Sequence, residues 1–129
     1  MILRLLSALM IALALASAGH AAAVKQKVYF AFNTAKMSDA ALELMPMIAK
    51  AIKDSGTTNV VLTGYCDTAE QAPTLLSRYR AKAVADQLRE HGIPDSVSIE
   101  WSGKGTSDLD APTGPGVREP MNRRVTIAY

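Results

Sequence analysis

Cysteine is almost missing from this chain: Cys66 stands alone among 129 residues. No disulfide can therefore close within it, and the thiol is either a buried core group or a partner for another molecule. Histidine is nearly as scarce, with His20 and His91 only, and His91 lies beside a helix-terminating Gly92. No Cys/His spacing suited to a metal exists, and Cys66 has no histidine near it in sequence to act as a base. Asp39, Asp67 and Glu70 form no recognised hydrolase pattern, and glycoside hydrolysis needs two carboxylates fixed across a cleft. The residues thus argue against an enzyme and call for no cofactor or metal. An excess of charge is lacking too. Fourteen Lys and Arg face 12 Asp and Glu, and the basic residues are dispersed apart from Arg123-Arg124. This balance gives no reason to expect nucleic acid as a partner.

Beyond the first 23 residues no apolar run approaches the length of a membrane span. Those first residues have the layout of a secretory signal peptide: Arg4, then residues 5–16 apolar except for Ser7, then small residues ending in Gly19-His20-Ala21-Ala22-Ala23. Cleavage after Ala21 and cleavage after Ala23 are both sterically acceptable. An uncleaved anchor is the competing reading, but residues 2–18 lie near the lower limit for a span and end mostly in alanine. The segment holds no cysteine to accept a lipid. Export leaves a domain of residues 24–129, with Arg4 the only charge removed.

Alternation of Val28, Phe30 and Phe32 predicts a first strand over residues 24–32. Ser38 is a suitable N-cap with Asp39 in the first turn. Leu42, Met45, Ile48, Ala49 and Ile52 follow at helical spacing. Pro46 lies within this stripe, where it cannot donate to the Leu42 carbonyl, so a kink is expected there or a helix that starts near Pro46. A second strand spans residues 59–67, and its Gly64 invites a close backbone approach. A second helix opens at Pro73 or Thr74, with Leu76, Ala83, Val84 and Leu88 as its buried stripe, and ends at His91-Gly92. A third strand covers residues 97–101, with Val97, Ile99 and the core candidate Trp101 on one face. Residues 102–121 form a long Gly/Pro-rich loop of the functional or mobile kind. A last strand runs from about Asn122. The expected fold is α/β, a two-layer sandwich of order β-α-β-α-β-β, with two helices on one face of a four-stranded mixed sheet.

Five segments in this order resemble the OmpA-like C-terminal domain family: Tyr29-Phe30-Ala31-Phe32-Asn33, Gly64-Tyr65-Cys66-Asp67, the run from Leu76 to Val84, Gly103-Lys104-Gly105, and Asn122-Arg123-Arg124-Val125. The resemblance covers nearly all of the chain after the export segment. It implies non-catalytic binding of peptidoglycan through the free end of diaminopimelate in the stem peptide, in the periplasm. Any attachment to the outer membrane would run through envelope-protein partners. It also implies that Asp67, Arg80 and one of Arg123 or Arg124 contact the ligand, with Asn33 at a ligand-contacting position. Tyr65 reads, from the residues alone, either as a wall of the pocket or as a plain surface aromatic. The chain departs from the family pattern in several places. Asn33 replaces an acidic residue, Tyr65-Cys66 replaces histidine-threonine, Pro73 replaces asparagine, and Thr106 replaces glutamate. The loop from Asp67 to Ser77 is two residues short and lacks its usual glycine. A periplasmic interaction module with the same fold and no wall binding is the alternative.

The residues themselves support a charged site. A guanidinium matches a carboxylate by two parallel hydrogen bonds, and an ammonium wants carboxylate or carbonyl acceptors. Arg80 is four residues from both Leu76 and Val84, on the helix face turned toward the core. Asp67 ends the strand that precedes this helix, so the two can meet either as a ligand site or as an ion pair fixing the loop. Arg123 and Arg124 must point to opposite faces of the last strand. Arg78 and Lys82 read as solvated. With helix propensity kept, Arg80→Ala is expected to lose binding while the domain stays folded.

Overall fold

Hydrophobic spacing of period two and of period 3.6 alternate along the chain, and the computed structural model, which describes residues 22–129, folds accordingly. The elements are β1 (Val24–Tyr29), α1 (Asp39–Ser55), β2 (Asn59–Gly64), α2 (Pro73–Glu90), β3 (Ser98–Gly103) and β4 (Arg124–Ala128), with a 3₁₀ turn at Pro120–Asn122 before the last strand. The sheet order is β1-β4-β2-β3. β4 runs antiparallel to both β1 and β2, and β2 runs parallel to β3. The sheet is therefore mixed, and both helices lie on one face, as the sequence pattern implies. The expected export segment falls almost wholly on residues 1–21, outside the described residues. Among the described residues no helix is long and apolar enough to cross a membrane.

The core lies between the helices and the inner face of the sheet. Met45, Ile48 and Ile52 of α1 and Ala81, Val84 and Leu88 of α2 join Val28, Val60, Leu62, Val125 and Ile127 there. α1 begins where its cap requires, with Ser38 Oγ accepting from the Ala41 N–H. Two expectations for this helix need correction. It does not start at Pro46 but runs through it. Pro46 and Leu42 both sit on its exposed side, where water can take the place of the lost N–H. The buried stripe is also turned slightly: Ala41 is buried and Leu42 is 36 % exposed. Leu76 of α2 is likewise only half-buried, and Ser77 takes the interior position beside it.

β1 and β2 are shorter than expected, ending at Tyr29 and Gly64. The segments that follow leave the sheet to build the site. Residues 104–119 form no regular element, yet the loop is tied down. The Asn122 side chain brackets the backbone of Ala111 with two hydrogen bonds of 2.8 Å. Lys27 pairs with Asp110 at 3.0 Å, which holds the Asp110 carboxyl below its usual range. Thr68 Oγ1 donates to the Gly114 carbonyl (2.7 Å) and accepts from the Val117 N–H (3.0 Å).

Candidate functional site

Two glycines determine where the site forms. Gly64 and Gly103 are partners across the parallel β2–β3 pair, and together they leave a notch free of side chains. The first turn of α2 rests in it. A Cβ on Gly64 would lie 1.8 Å from the Ser77 carbonyl oxygen, and one on Gly103 would lie 2.3 Å from the Arg78 nitrogen. Ser77 Oγ accepts from the Gly105 N–H (2.9 Å) and donates to the Thr74 carbonyl (3.0 Å), which locks the helix in the notch. Arg80, one turn further on, is thereby directed beneath the ends of β1 and β2.

Arg80 has no exposed side-chain surface. Its five N–H donors all have acceptors. Nε donates to the Thr34 carbonyl (2.9 Å), Nη1 to the Tyr65 carbonyl (3.0 Å) and Glu70 Oε1 (2.7 Å), and Nη2 to the Ala31 carbonyl (3.0 Å) and Glu70 Oε2. The ring of Phe30 lies 5.3 Å from the guanidinium. Glu70 is buried as well, and its carboxylate also accepts from the backbone N–H of Asp67 (3.1 Å) and of Asn33 (2.7 Å).

Asp67 is not the ion-pair partner of Arg80, as the reading of the two as a bridge fixing the loop required. The salt bridge of Asp67 is to Arg123 (Oδ2 to Nη1, 3.0 Å). Oδ2 also accepts from the Glu119 N–H, while Oδ1 accepts from the N–H groups of Ala69 and Glu70, all at 3.0 Å. Arg123 Nε donates to the Phe30 carbonyl (2.9 Å), and its side chain keeps 12 % exposure. Two arginines and two carboxylates thus meet at the C-terminal end of β2, with no net formal charge among them. Burial without that balance would be costly.

Asn33 stands at the outer edge of the cluster with φ +54°, a conformation asparagine tolerates. Its Oδ1 accepts from the Gln71 N–H at 3.1 Å. Ala72, at φ +45°, adopts the same left-handed region without that tolerance. Outside the Asn33–Gln71 bond is a shallow hollow of about 410 Å³, lined by Asn33, Gln71, Ala72, Leu75, Leu76 and Tyr79.

Two of the expected residues lie elsewhere. Arg124 shares the outer face of the sheet with Thr126, and its guanidinium stacks 3.9 Å over the Tyr65 ring. Its Nη2 donates to the Asp108 carbonyl, whereas Nε and Nη1 have no hydrogen-bond partner. The side chains of Tyr65 and Arg124 therefore pack on the opposite face from Arg80. Of the two arginines that strand parity sets on opposite faces, Arg123 is the one that meets Asp67. Arg78 is not simply solvated but stacks 5.1 Å from the Trp101 ring. Glu70 was missed as a site residue. Its spacing of three from Asp67 was its only mark in the sequence, and a lone acidic residue in a short loop usually faces water.

Cys66 belongs to the inner wall of the cluster. Its thiol donates to the Pro73 carbonyl at 3.4 Å and lies 3.4 Å from Arg80 Nη1. Burial pushes it from 9.0 up to about 12, against the pull of Arg80. At pH 8 the folded protein should hold roughly a thousandfold less thiolate than an ordinary cysteine, and thiolate is the reactive form. Dithionitrobenzoate should therefore leave the native protein unmodified for hours and label one thiol at once in guanidinium. Rapid native labelling would mean that the wall of the site opens freely. Among the described residues no cluster of His, Cys, Asp and Glu could hold a metal ion.

Comparison with known proteins agrees with this architecture. A model described as the OmpA family matches residues 29–123. An outer membrane protein of Gluconacetobacter diazotrophicus is 32% identical over 108 residues, covering 78% of this chain and 28% of the relative. The chain therefore spans little more than a quarter of that relative's length. The OmpA-like domain of FopA1 from Francisella tularensis superposes with a TM-score of 0.69 at 27% identity, covering 80% of this chain and 69% of the other. The peptidoglycan-associated lipoprotein of Burkholderia pseudomallei superposes with a TM-score of 0.68 at 25% identity, covering 81% and 90%.

Proposed function

Because this chain belongs to the OmpA family, we propose that it is a non-catalytic module that holds peptidoglycan by the α-amino-carboxylate end of diaminopimelate in the stem peptide. The observation that carries the reading is the convergence of Arg80, Asp67 and Arg123 where β1 and β2 end and β4 begins. A zwitterion needs a guanidinium for its carboxylate and a carboxylate for its ammonium, held a few ångströms apart. Arg123, Asp67 and Arg80 provide these groups, and Asn33 lies at the entrance. Tyr65 and Arg124 support the site from behind the sheet. The reading includes export to the periplasm after removal of residues 1–21 or 1–23. Contact with the outer membrane would come through envelope-protein partners.

The protein purified after export should sediment with diaminopimelate-containing sacculi. Arg123→Ala is expected to weaken that binding about tenfold or more, since a charge-assisted contact is worth roughly 1.5–3 kcal/mol. The variant should remain folded, because Asp67 keeps its three backbone N–H donors. Arg78→Ala, which alters the Trp101 stack away from the site, is the control and should bind normally. Equal recovery of the wild-type protein in the supernatant with and without sacculi would end the wall-binding reading. It would favour the interaction module, which is consistent with an Arg80 whose donors are all occupied within the chain.

A further inference from the structure

We infer that Glu70 is a built-in carboxylate occupying the carboxylate position of this site, and that the loop of residues 68–72 is a displaceable plug. An external carboxylate enters only when Glu70 withdraws. The natural ligand rests on the diaminopimelate reading above, but the chemistry of the plug does not.

Four donors from three separate segments converge on the Glu70 carboxylate: Nη1 and Nη2 of Arg80 from α2, the Asp67 N–H at the end of β2, and the Asn33 N–H after β1. Such a receptor is complete without the loop that carries Glu70, and any carboxylate of the right size satisfies it. The loop is fastened mainly by polar bonds: the Ala69 and Glu70 N–H groups donate to Asp67 Oδ1. The Gln71 N–H is held by Asn33 Oδ1, and Thr68 makes its contacts with residues 114–117. At its far end Ala72 is held left-handed, a conformation released if the loop lifts. The hollow lined by Asn33, Gln71 and Ala72 lies against this loop beside the Asn33–Gln71 bond and offers an approach to it. The Glu70–Arg80 pair itself has no exposed side-chain surface, so no ligand reaches Arg80 with Glu70 in place. Wild-type affinity is then the intrinsic affinity multiplied by the small fraction of open molecules.

The test uses acetate, because Glu70→Ala removes a methylene and a carboxylate, and acetate has that shape. Melting of the full exported protein is followed in sodium acetate and in sodium chloride at equal ionic strength and pH 7. Glu70→Ala should gain at least ~5 °C in 0.2 M acetate over chloride (about the size of a millimolar ligand effect). Wild type should show no difference. Recovery of folded Glu70→Ala only when acetate is present supports the plug equally. An equal response of variant and wild type, or failure to fold in both salts, overturns it. Glu70→Gln, which preserves packing but is a weaker occupant, supplies the second arm. By calorimetry it should bind meso-diaminopimelate at least about fivefold more tightly than wild type. Equal or weaker binding overturns displacement by that ligand. Acetate rescue without any binding of diaminopimelate or sacculi would uphold the carboxylate receptor and overturn the wall reading alone.

Discussion

Arg80→Ala is expected to destabilise the fold strongly, lowering its melting temperature by about 12 °C or more. The substitution leaves the buried Glu70 carboxylate with no counter-charge and removes the donors to the carbonyls of Ala31, Thr34 and Tyr65. Breaking one side of a buried ion pair costs roughly 3–5 kcal/mol, against a total stability of about 5–15 kcal/mol for a domain. This reverses the expectation from helix propensity alone, which treated Arg80 as a site residue whose loss the fold could absorb. Arg80→Lys should rescue little, since an ammonium cannot reach acceptors arranged around a planar fork. Replacing both members, as Arg80→Met with Glu70→Leu, should cost less than Arg80→Ala because no unpaired charge remains. Urea unfolding of the four proteins measures this directly. A single variant within about 0.5 kcal/mol of wild type would show that water reaches Glu70 freely. It also follows that Arg80 variants cannot report on wall binding, and the test passes to Arg123.

Gly64→Ala should be equally damaging for a different reason. The new methyl would fall 1.8 Å from the Ser77 carbonyl oxygen, a backbone atom of the helix seated on the strand. A flexible side chain could turn aside, but here α2 itself must lift. Overpacking in cores usually costs 1–3 kcal/mol and occasionally more. With a helix backbone as the obstacle, about 3 kcal/mol or more is expected, or a fall in melting temperature of roughly 12 °C or more for a domain of this size. Because Arg80 lies one turn from Ser77, any variant that does fold should also show a displaced site, visible as dithionitrobenzoate reaching Cys66. Gly114, with nothing within 4 Å of its would-be methyl, is the matched control. Gly114→Ala should melt within about 1 °C of wild type. A similarly small change at Gly64 would mean that the helix does not depend on the notch.

Local patterns carried much of this protein by themselves. Alternation and helical spacing specify the β-α-β-α-β-β order, because one-sided burial of a strand or helix is a property of neighbouring residues. Ser38 and Pro73 mark their helix starts, since a cap or a missing N–H acts within one turn. Gly64 could be read as a place of close approach, although not what approached it. That Asp67, Arg80, Asn33 and one of Arg123 or Arg124 belong to one cluster was also legible, through the motif order. Their partners were not. Asp67 pairs with Arg123 across 56 positions, and Arg80 with Glu70 inside a loop too short to reveal which way its side chain points. Strand parity could say that Arg123 and Arg124 face opposite ways, but only the position of β4 between β1 and β2 decides which of them meets Asp67. Ion pairing in a buried site depends on distance and on the exclusion of water. Both arise only when β1, β2, α2 and β4 close around the same few atoms.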